Sequence, residues 1–271
     1  MIDYLRRWYS INFQNIPRQD KVIKKAFIPK LDALLYLDYK NIEPRLLAFY
    51  LSGLGYDGMT QLFKDQRDLY SETIKRILKL DRDPTEEERQ KGKILVLSTI
   101  YGGGLPTTML QLACDKSEAS DYLKRFHFAW PEIGRDGWHT FAPRGTLMGE
   151  LHYKLETVGF IKTLWGRELH PEYEYKRLNV LIQGCAADLM RWAIVQVYEH
   201  LRDQGLVSHL VSTVHDELIL DCVFEELEYL TETVPDLMKY PLINDVVPIG
   251  VDIEFSTETW ADKRAYEGSI F

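Results

Sequence analysis

Two aspartates in this sequence follow stretches that read as buried strands. Asp38 ends the apolar run 31–37 (LDALLYL), and Asp216 lies in a tight turn between predicted strands 206–214 and 217–222. If both strands belong to one sheet, the two carboxylates can meet at its edge, where paired oxygen ligands suit Mg²⁺. Two such ions can activate an attacking oxygen and stabilise a leaving one. The alternative is structural, because aspartate also caps strand ends and favours turns.

A second group of chemically useful residues lies along one predicted helix over 85–101. One stripe of this helix carries two cations, an apolar side chain and an aromatic side chain at steps of four: Arg89, Lys93, Leu97 and Tyr101. The cations could bind a triphosphate, while the other two could hold a sugar and stack on a base. The alternative is an ordinary amphipathic helix, with its cations in water and its apolar side chains packed inward.

The elements that must position these residues can be predicted in outline. Thr85 and Glu88 form a capping box that starts the helix over 85–101, and the glycines at 102–104 stop it. Further helices are predicted over 42–52 and 57–80, and a mostly helical middle extends to about residue 203. A last strand is predicted over 246–255. Strand, long helical insert and strand hairpin indicate an α+β fold whose sheet uses both ends of the chain.

Composition and charge exclude several classes of protein. The chain has 271 residues and is 45% hydrophobic, which excludes wholly disordered, collagen-like and coiled-coil readings. No run of apolar residues reaches the length of a membrane span, and the three cysteines fit a reducing compartment. The net charge of −8 argues against a generic nucleic-acid binder, but residues 1–30 carry seven Lys and Arg against two Asp. This basic arm could hold a polyanion locally, or could be a solvated surface.

Five segments, in order, resemble family A DNA polymerases of the DNA polymerase I type. They are the segment 12–17 (NFQNIP), the first palm motif at 38–45 (DYKNIEPR), the fingers helix with Arg89, Lys93, Leu97 and Tyr101-Gly102, the helix from Asn179 and Gln183 to Met190, and the third motif at 214–217 (VHDE). The similarity runs from about residue 6 to 262. It is strong because the motifs keep the family's order.

The resemblance implies roles for individual residues. Asp38 and Asp216 would hold two Mg²⁺ ions, with the backbone carbonyl of Tyr39 as a further ligand, and Glu217 would be an auxiliary acidic group beside the primer terminus. Lys93 would bind the triphosphate and could protonate the leaving pyrophosphate. The other residues expected on the incoming dNTP are Arg89, Leu97, Tyr101, Tyr70 and Glu43, of which Tyr101 would hold the templating position and Glu43 would exclude a ribose hydroxyl. The residues expected on DNA are Arg7, Gln14, Asn15, Asn179, Gln183 and His215.

Several positions depart from the family's pattern. Leu97 stands where most members carry Phe or Tyr, so we expect altered handling of nucleotides that lack a 3′-hydroxyl, which ddNTP incorporation by a Leu97→Phe variant would test. Tyr70 replaces a histidine expected on the triphosphate, and it can donate one hydrogen bond but no charge. Pro44 lies inside the first motif, where it should tighten the start of the following helix. The segment around Arg7 is shorter than usual.

The resemblance also predicts a domain organisation. We expect residues 1–50 to form the N-terminal part of the palm, with the basic arm and first metal motif. Residues 51–204 would form helical fingers, and 205–271 the C-terminal palm with the second metal motif. We expect no thumb or exonuclease in this chain, as in a split (viral or phage-type) polymerase, an excised part of a longer one or a minimal enzyme. A second polypeptide would then supply the missing parts.

The expected partners are primer-template DNA and dNTPs, with no membrane, in the cytoplasm of a bacterium or of a virus-infected host cell. Two other functions stay open. A single-subunit RNA polymerase would share much of this pattern, although Glu43 argues against it. A non-catalytic DNA-binding subunit derived from a polymerase would have no reason to keep both aspartates and the fingers stripe together.

Overall fold

The structure is a computed structural model that describes residue 16 and residues 21–134 and 142–267. Its helices and strands follow one another in this order: α1 (Lys21–Lys24), β1 (Ala33–Lys40), α2 (Ile42–Ser52), α3 (Gly58–Lys64), α4 (Leu69–Leu78), α5 (Glu86–Ile100), α6 (Leu105–Leu112), α7 (Lys116–Ala129), α8 (Leu147–Val158), β2 (Ile161–Lys162), β3 (Glu168–Leu169), α9 (Arg177–Asp203), β4 (His209–Val214), β5 (Glu217–Cys222), α10 (Phe224–Leu237), α11 (Pro241–Asn244), β6 (Gly250–Ser256) and β7 (Arg264–Ala265).

The described residues divide into two compact units. The first, the sheet unit, comprises the described residues up to Lys40, residues 190–240 and the described residues from Gly250 onward. The second, the helical unit, comprises 41–189 and 241–249. The predicted palm and fingers, with boundaries after residues 50 and 204, remain a prediction.

The sheet unit is built on an antiparallel sheet of five strands in the order β4-β5-β1-β6-β7. β1 comes from the first part of the chain and pairs on both sides with strands from the last third, as the sequence predicts. All but two of its eight residues are buried, the exceptions being Asp38 and Lys40. The sheet therefore forms only when segments distant in sequence pair.

The two faces of this sheet have different chemistry. On one face, β1 contributes Leu35, Leu37 and Tyr39, which are buried, and α10 packs against β1 and β6. On the other face, strand alternation places Leu34, Tyr36 and Asp38 in a row. Leu34 and Tyr36 belong to an apolar cluster with Ile219 and Trp260, and Phe27 packs against it. This second face therefore changes from apolar to acidic along β1.

The helical unit is organised around α5. The predicted capping box is present, since the Thr85 side chain accepts from the Glu88 backbone while the Glu88 side chain accepts from the Thr85 backbone. α5 packs against α2, α4, α6 and α7. At its contact with α4, a Cβ on Gly92 would lie 2.3 Å from the backbone oxygen of Tyr70. Only glycine permits this approach of the two helices.

Two details of the predicted helical region were wrong. The single helix expected over 57–80 is two helices, α3 and α4, because Gln66 turns left-handed (φ 55°) and the Asp68 side chain accepts from Ser71 N to begin α4. The middle of the chain also contains a short hairpin, β2–β3, in which Ile161 pairs with Leu169. The other predicted elements lie within a few residues of their observed bounds.

One helical stretch, Glu174–Asp203, has the length and mean hydropathy (1.3) of a membrane span, although polar residues such as Asp188 interrupt its apolar run. Half of its most apolar window is buried inside the protein. A core helix has the same length and composition, so this is weak evidence for a membrane segment.

Candidate active site

The sheet unit brings both predicted aspartates to the same end of the neighbouring strands β1 and β5. Asp38 on β1 lies directly opposite Glu217 on β5. β4 and β5 are joined by a turn of only two residues, His215 and Asp216, in which His215 has a positive φ of 57°. The amide of Tyr39 donates a 3.1 Å hydrogen bond to the carbonyl oxygen of Asp216. The strands that carry the two aspartates therefore belong to one sheet, as their predicted meeting requires.

Asp38 is in a strained electrostatic position. Its Oδ1 atom is buried and has no hydrogen-bond partner. Burial, as the largest cause, and the negative charges of Asp216 and Glu217 together raise the pKa of Asp38 to about 7, while Lys263 partly opposes them. A partly buried carboxylate that is crowded by other carboxylates is unfavourable unless a positive charge approaches it.

No local sequence pattern signals Lys263, whose positive charge neutralises part of this cluster. Its Nζ lies 2.7 Å from Glu217 Oε2 and 2.5 Å from Glu254 Oε2, and it sits over the ring of Tyr36 at 5.2 Å. Burial alone would lower the pKa of Lys263, but the two glutamates outweigh it and raise the pKa. Glu217 is thus already paired with a cation, whereas Asp38 is not paired through its buried oxygen.

These residues fit a divalent cation. Within the described ranges no three or more His, Cys, Asp or Glu side chains group as a metal cage. Mg²⁺, however, typically uses one or two carboxylates and completes its shell with substrate phosphates and water. Asp38, with its unpartnered buried oxygen, and Asp216 beside it supply that number of carboxylates.

In the helical unit, the predicted stripe lies on the open face of α5. Arg89, Lys93 and Leu97 are partly exposed, while Leu95, on the opposite side of α5, is buried. Arg89 donates from Nε and Nη2 to the two carboxylate oxygens of Asp68, at 2.9 and 3.0 Å. Burial tends to raise the pKa of Asp68, but its hydrogen bonds with Arg89 and Ser71 lower it overall.

The ring of Tyr70 on α4 lies close to both cations of α5, Arg89 and Lys93. It is buried, and its ring centre lies 5.5 Å from the Arg89 guanidinium and 6.0 Å from Lys93 Nζ. Its hydroxyl donates to Asn41 Oδ1 at 3.2 Å, and burial raises its pKa to about 12. The one hydrogen bond that Tyr70 can donate is therefore in use, and its contact with a triphosphate remains a prediction.

At the end of α5, Tyr101 contacts the first motif. Its hydroxyl donates a 2.5 Å hydrogen bond to Glu43 Oε2 in the first turn of α2. Pro44 is the third residue of α2, where its missing N–H has no intrahelical partner to lose. A hydrogen bond thus joins Glu43, which is predicted to exclude a ribose hydroxyl, to Tyr101, which is predicted to hold the templating position.

Three of the predicted DNA contacts lie within the described residues. Asn179 and Gln183 are one helical turn apart on α9, with Gln183 exposed, and His215 is exposed in its turn. Nearby, Arg167 Nε donates to both oxygens of Asp188, and its Nη2 donates to the Gly184 carbonyl. This contact anchors the β2–β3 hairpin to α9. Arg7, Gln14 and Asn15 lie outside the described residues.

Comparison with known proteins agrees with this arrangement. DNA polymerase I of Caldicellulosiruptor bescii is 29% identical over 248 residues, which cover 87% of this chain. The thermostable DNA polymerase I of Thermus aquaticus is 28% identical over 272 residues, or 93% of this chain. Among solved structures, the POL domain of Pol1 from M. smegmatis, in complex with DNA primer-template and dNTP, superimposes with a TM-score of 0.76 at 25% identity.

These matches cover most of this chain but less than half of each relative. This chain spans about three-tenths of the length of these curated relatives, and the structural match covers 92% of it against 44% of the Pol1 chain. The mixed helical and antiparallel fold is that of a polymerase domain. The sequence model of DNA polymerase family A matches residues 8–262, nearly the whole chain, and the protein therefore belongs to that family.

Proposed function

We propose that this chain carries out template-directed DNA synthesis, in which a primer 3′-hydroxyl is extended by a dNTP. The observation that carries this proposal is the buried, unpartnered oxygen of Asp38 beside Asp216 and its turn. A carboxylate pair in this state is suited to a divalent cation and has no evident use in folding. Family membership supplies the reaction class.

In this proposal the sheet unit supplies the ligands for two Mg²⁺ ions. Asp38 and Asp216 would hold them, with the backbone carbonyl of Tyr39 as a further ligand. When bound, the metal supplies charge stabilisation for phosphoryl transfer. Glu217 remains paired to Lys263 beside them as an auxiliary acidic group. The sheet holds these groups in fixed positions, which is what the reaction chiefly requires of a protein.

The helical unit would bind the incoming nucleotide. Arg89 and Lys93 face solvent along one stripe, where their charges can hold a triphosphate. Lys93 can give a proton to the leaving pyrophosphate as the bond from the primer oxygen to the α-phosphorus forms. Arg89 would bind the triphosphate while its guanidinium is still held and oriented by Asp68. Leu97 and Glu43 would contact the sugar, and Tyr101 the templating position.

DNA contacts would come mainly from amide side chains. Asn179 and Gln183 on α9, with His215 in the β4–β5 turn, are proposed to touch the primer-template, as are Arg7, Gln14 and Asn15. Neutral amides suit this task because base pairing reads the template, so the protein needs shape and backbone contacts. The M. smegmatis Pol1 domain was solved with primer-template and dNTP.

Primer extension by the isolated chain tests the proposal. With Mg²⁺ and dNTPs at low salt, the wild type should extend the primer, and Asp216→Asn should abolish extension. Asp252→Asn is the matched control: Asp252 lies opposite Asp38 on β6, but it is half-exposed, is paired with Lys40 at 2.6 Å and is not among the charges that raise the pKa of Asp38, so extension should persist. Extension by Asp216→Asn at the wild-type rate would contradict the assignment of that residue.

The same assay separates the other readings. Equal use of rNTPs and dNTPs would favour an RNA polymerase and count against Glu43 as the residue that excludes ribose. DNA binding without extension would favour an accessory subunit. We also propose that a second polypeptide grips the duplex, and light scattering of a stoichiometric mixture with neighbouring replication proteins would detect that complex. We likewise propose that the protein is located in the cytoplasm.

A further inference from the structure

Two exposed tyrosines form a stacked pair on the helical unit. The rings of Tyr173 and Tyr175 lie 5.7 Å apart, centre to centre, with only 22° between their planes. Lys176 Nζ lies 5.0 Å from the first ring centre and 5.9 Å from the second. The two tyrosines nevertheless remain 49% and 42% exposed. Large aromatic surface is therefore presented to solvent beside a positive charge.

The turn that carries these rings is firmly held. Arg177 is buried, and it donates from Nη1 to the Glu174 carbonyl at 2.8 Å and from Nε to the Met148 carbonyl at 3.2 Å. The carboxylate of Glu174 is itself paired with His152 and with Arg177. The rings thus stand on a fixed turn at the start of α9, and the Glu174 carboxylate of that turn is already paired.

This aromatic pair adjoins the end of α5. Gly102 follows Tyr101 with a positive φ of 71°, and a Cβ there would lie 2.6 Å from the backbone oxygen of Tyr175 and 3.2 Å from its ring atom Cδ2. Backbone and aromatic ring therefore meet with no room for a side chain at residue 102. The exposed rings continue the surface that begins at Tyr101, which is itself 43% exposed.

We propose that Tyr173, Tyr175 and Lys176 form a stacking site for an unpaired template base, one that has not yet reached the templating position at Tyr101. Aromatic faces stack on any base without sequence preference, and a neighbouring lysine suits the phosphate of a single strand. A template strand requires that tolerance, because every base must pass. The inference rests on the proposed function, since it assigns the template to the surface beside Tyr101.

Binding of two primer-templates tests the site. One has a blunt end and the other a four-nucleotide template overhang with 2-aminopurine at its second unpaired position. The wild-type chain should prefer the overhang and quench its fluorescence. A Tyr173→Ala, Tyr175→Ala double variant should lose about 5-fold or more in affinity for the overhang substrate alone. The Tyr173→Phe, Tyr175→Phe variant, which keeps both rings, should retain the preference and the quenching.

The outcomes decide between stacking and a structural role. Tyr56→Ala is the control, because Tyr56 is 39% exposed elsewhere on the helical unit and should leave the overhang-to-blunt ratio unchanged. An equal loss on both substrates, no loss on either, or loss in the phenylalanine variant would overturn the stacking site. Because single-nucleotide extension is measured separately, a chain that extends primers but shows no ring-dependent overhang preference disproves this inference and not the proposed function.

Discussion

At Asp38, burial and charge oppose the ionised state that a metal site needs. The pKa of Asp38 is raised to about 7, chiefly by burial and then by Asp216 and Glu217. A raised carboxyl pKa means that the folded state loses stability as pH rises from about 4, the ordinary value, through 7. Below that window the proton is held in both folded and unfolded states. In the metal-free protein, the site therefore destabilises the fold at neutral pH.

We accordingly expect Asp38→Asn to stabilise the metal-free protein at pH 8. The gain in the free energy of unfolding should be about 1–2 kcal/mol, because partial exposure of Asp38 screens the repulsion. The gain should vanish at pH 4, where the wild-type carboxyl is protonated. Urea unfolding in EDTA at both pH values measures this, with Asp252→Asn as the control that shows no gain. A gain independent of pH would contradict the assigned cause.

Lys263 shows the opposite dependence. Its ion pairs with Glu217 and Glu254 lie in a partly buried position, so Lys263→Met would leave two carboxylates without their cation. We expect the free energy of unfolding to fall by about 2–3 kcal/mol at pH 7, somewhat less than for a fully buried pair. Acid should shrink the loss, because protonated glutamates need no partner. Thermal unfolding of Lys263→Met and Lys263→Arg at pH 5 and 7 would show this, and a smaller loss at pH 7 would argue against it.

The contrast between Thr85 and Lys263 shows which residues sequence can predict. The capping box of Thr85 and Glu88 is written in residues three apart, so it was predicted correctly. Lys263 reaches Glu217 only because β1, β5 and β6 pair in one sheet, and no local pattern signals that contact. The bond of Arg89 to Asp68 is likewise set by how α4 and α5 pack, so the sequence could not predict that the arginine proposed to bind the triphosphate is already held.

At the scale of elements, the approach of α4 and α5 fixes the face that we propose binds the nucleotide. Gly92 stands next to Lys93 and directly over the Tyr70 backbone, so the spacing of these two helices sets where both cations of α5 lie relative to the Tyr70 ring. The break between α3 and α4, which was not predicted from the sequence, involves the same contact between α4 and α5. Asp68 both begins α4 and holds Arg89, and its capping role would have been a readable signal.

Gly92→Ala should therefore destabilise the protein although alanine is the better helix former. The added Cβ would lie 2.3 Å from a backbone oxygen, which must move, and overpacking of this kind costs about 1–3 kcal/mol. Gly58→Ala is the control, because its Cβ would meet a Trp130 ring atom at an ordinary 3.6 Å. Urea unfolding measures both variants. Equal stability of the two variants would contradict this prediction, because it would mean that α4 and α5 can separate at little cost.

On the scale of the whole molecule, the sheet depends on segments from both parts of the chain. β1 was predicted from its apolar run, and the β4–β5 hairpin from its alternation around His215 and Asp216, but their pairing is a tertiary fact. The family's motif order was the signal that joined them. The β2–β3 hairpin shows the limit of local reasoning, because two strands of two residues each carry too little pattern to be recognised.

This architecture predicts how a divided chain behaves. Gly205, exposed and at a positive φ of 66°, lies in the connection between α9 and β4, where a cut disturbs no strand. A fragment of residues 1–205 leaves the buried residues of β1 without either neighbouring strand, so we expect it to lack cooperative unfolding of a sheet. Mixing it with fragment 206–271 should restore near-ultraviolet circular dichroism and primer extension together, because Asp38 and Asp216 then share a sheet again. Extension by fragment 1–205 alone would show that the reaction needs neither Asp216 nor the completed sheet, and would refute the assignment of the carboxylate pair.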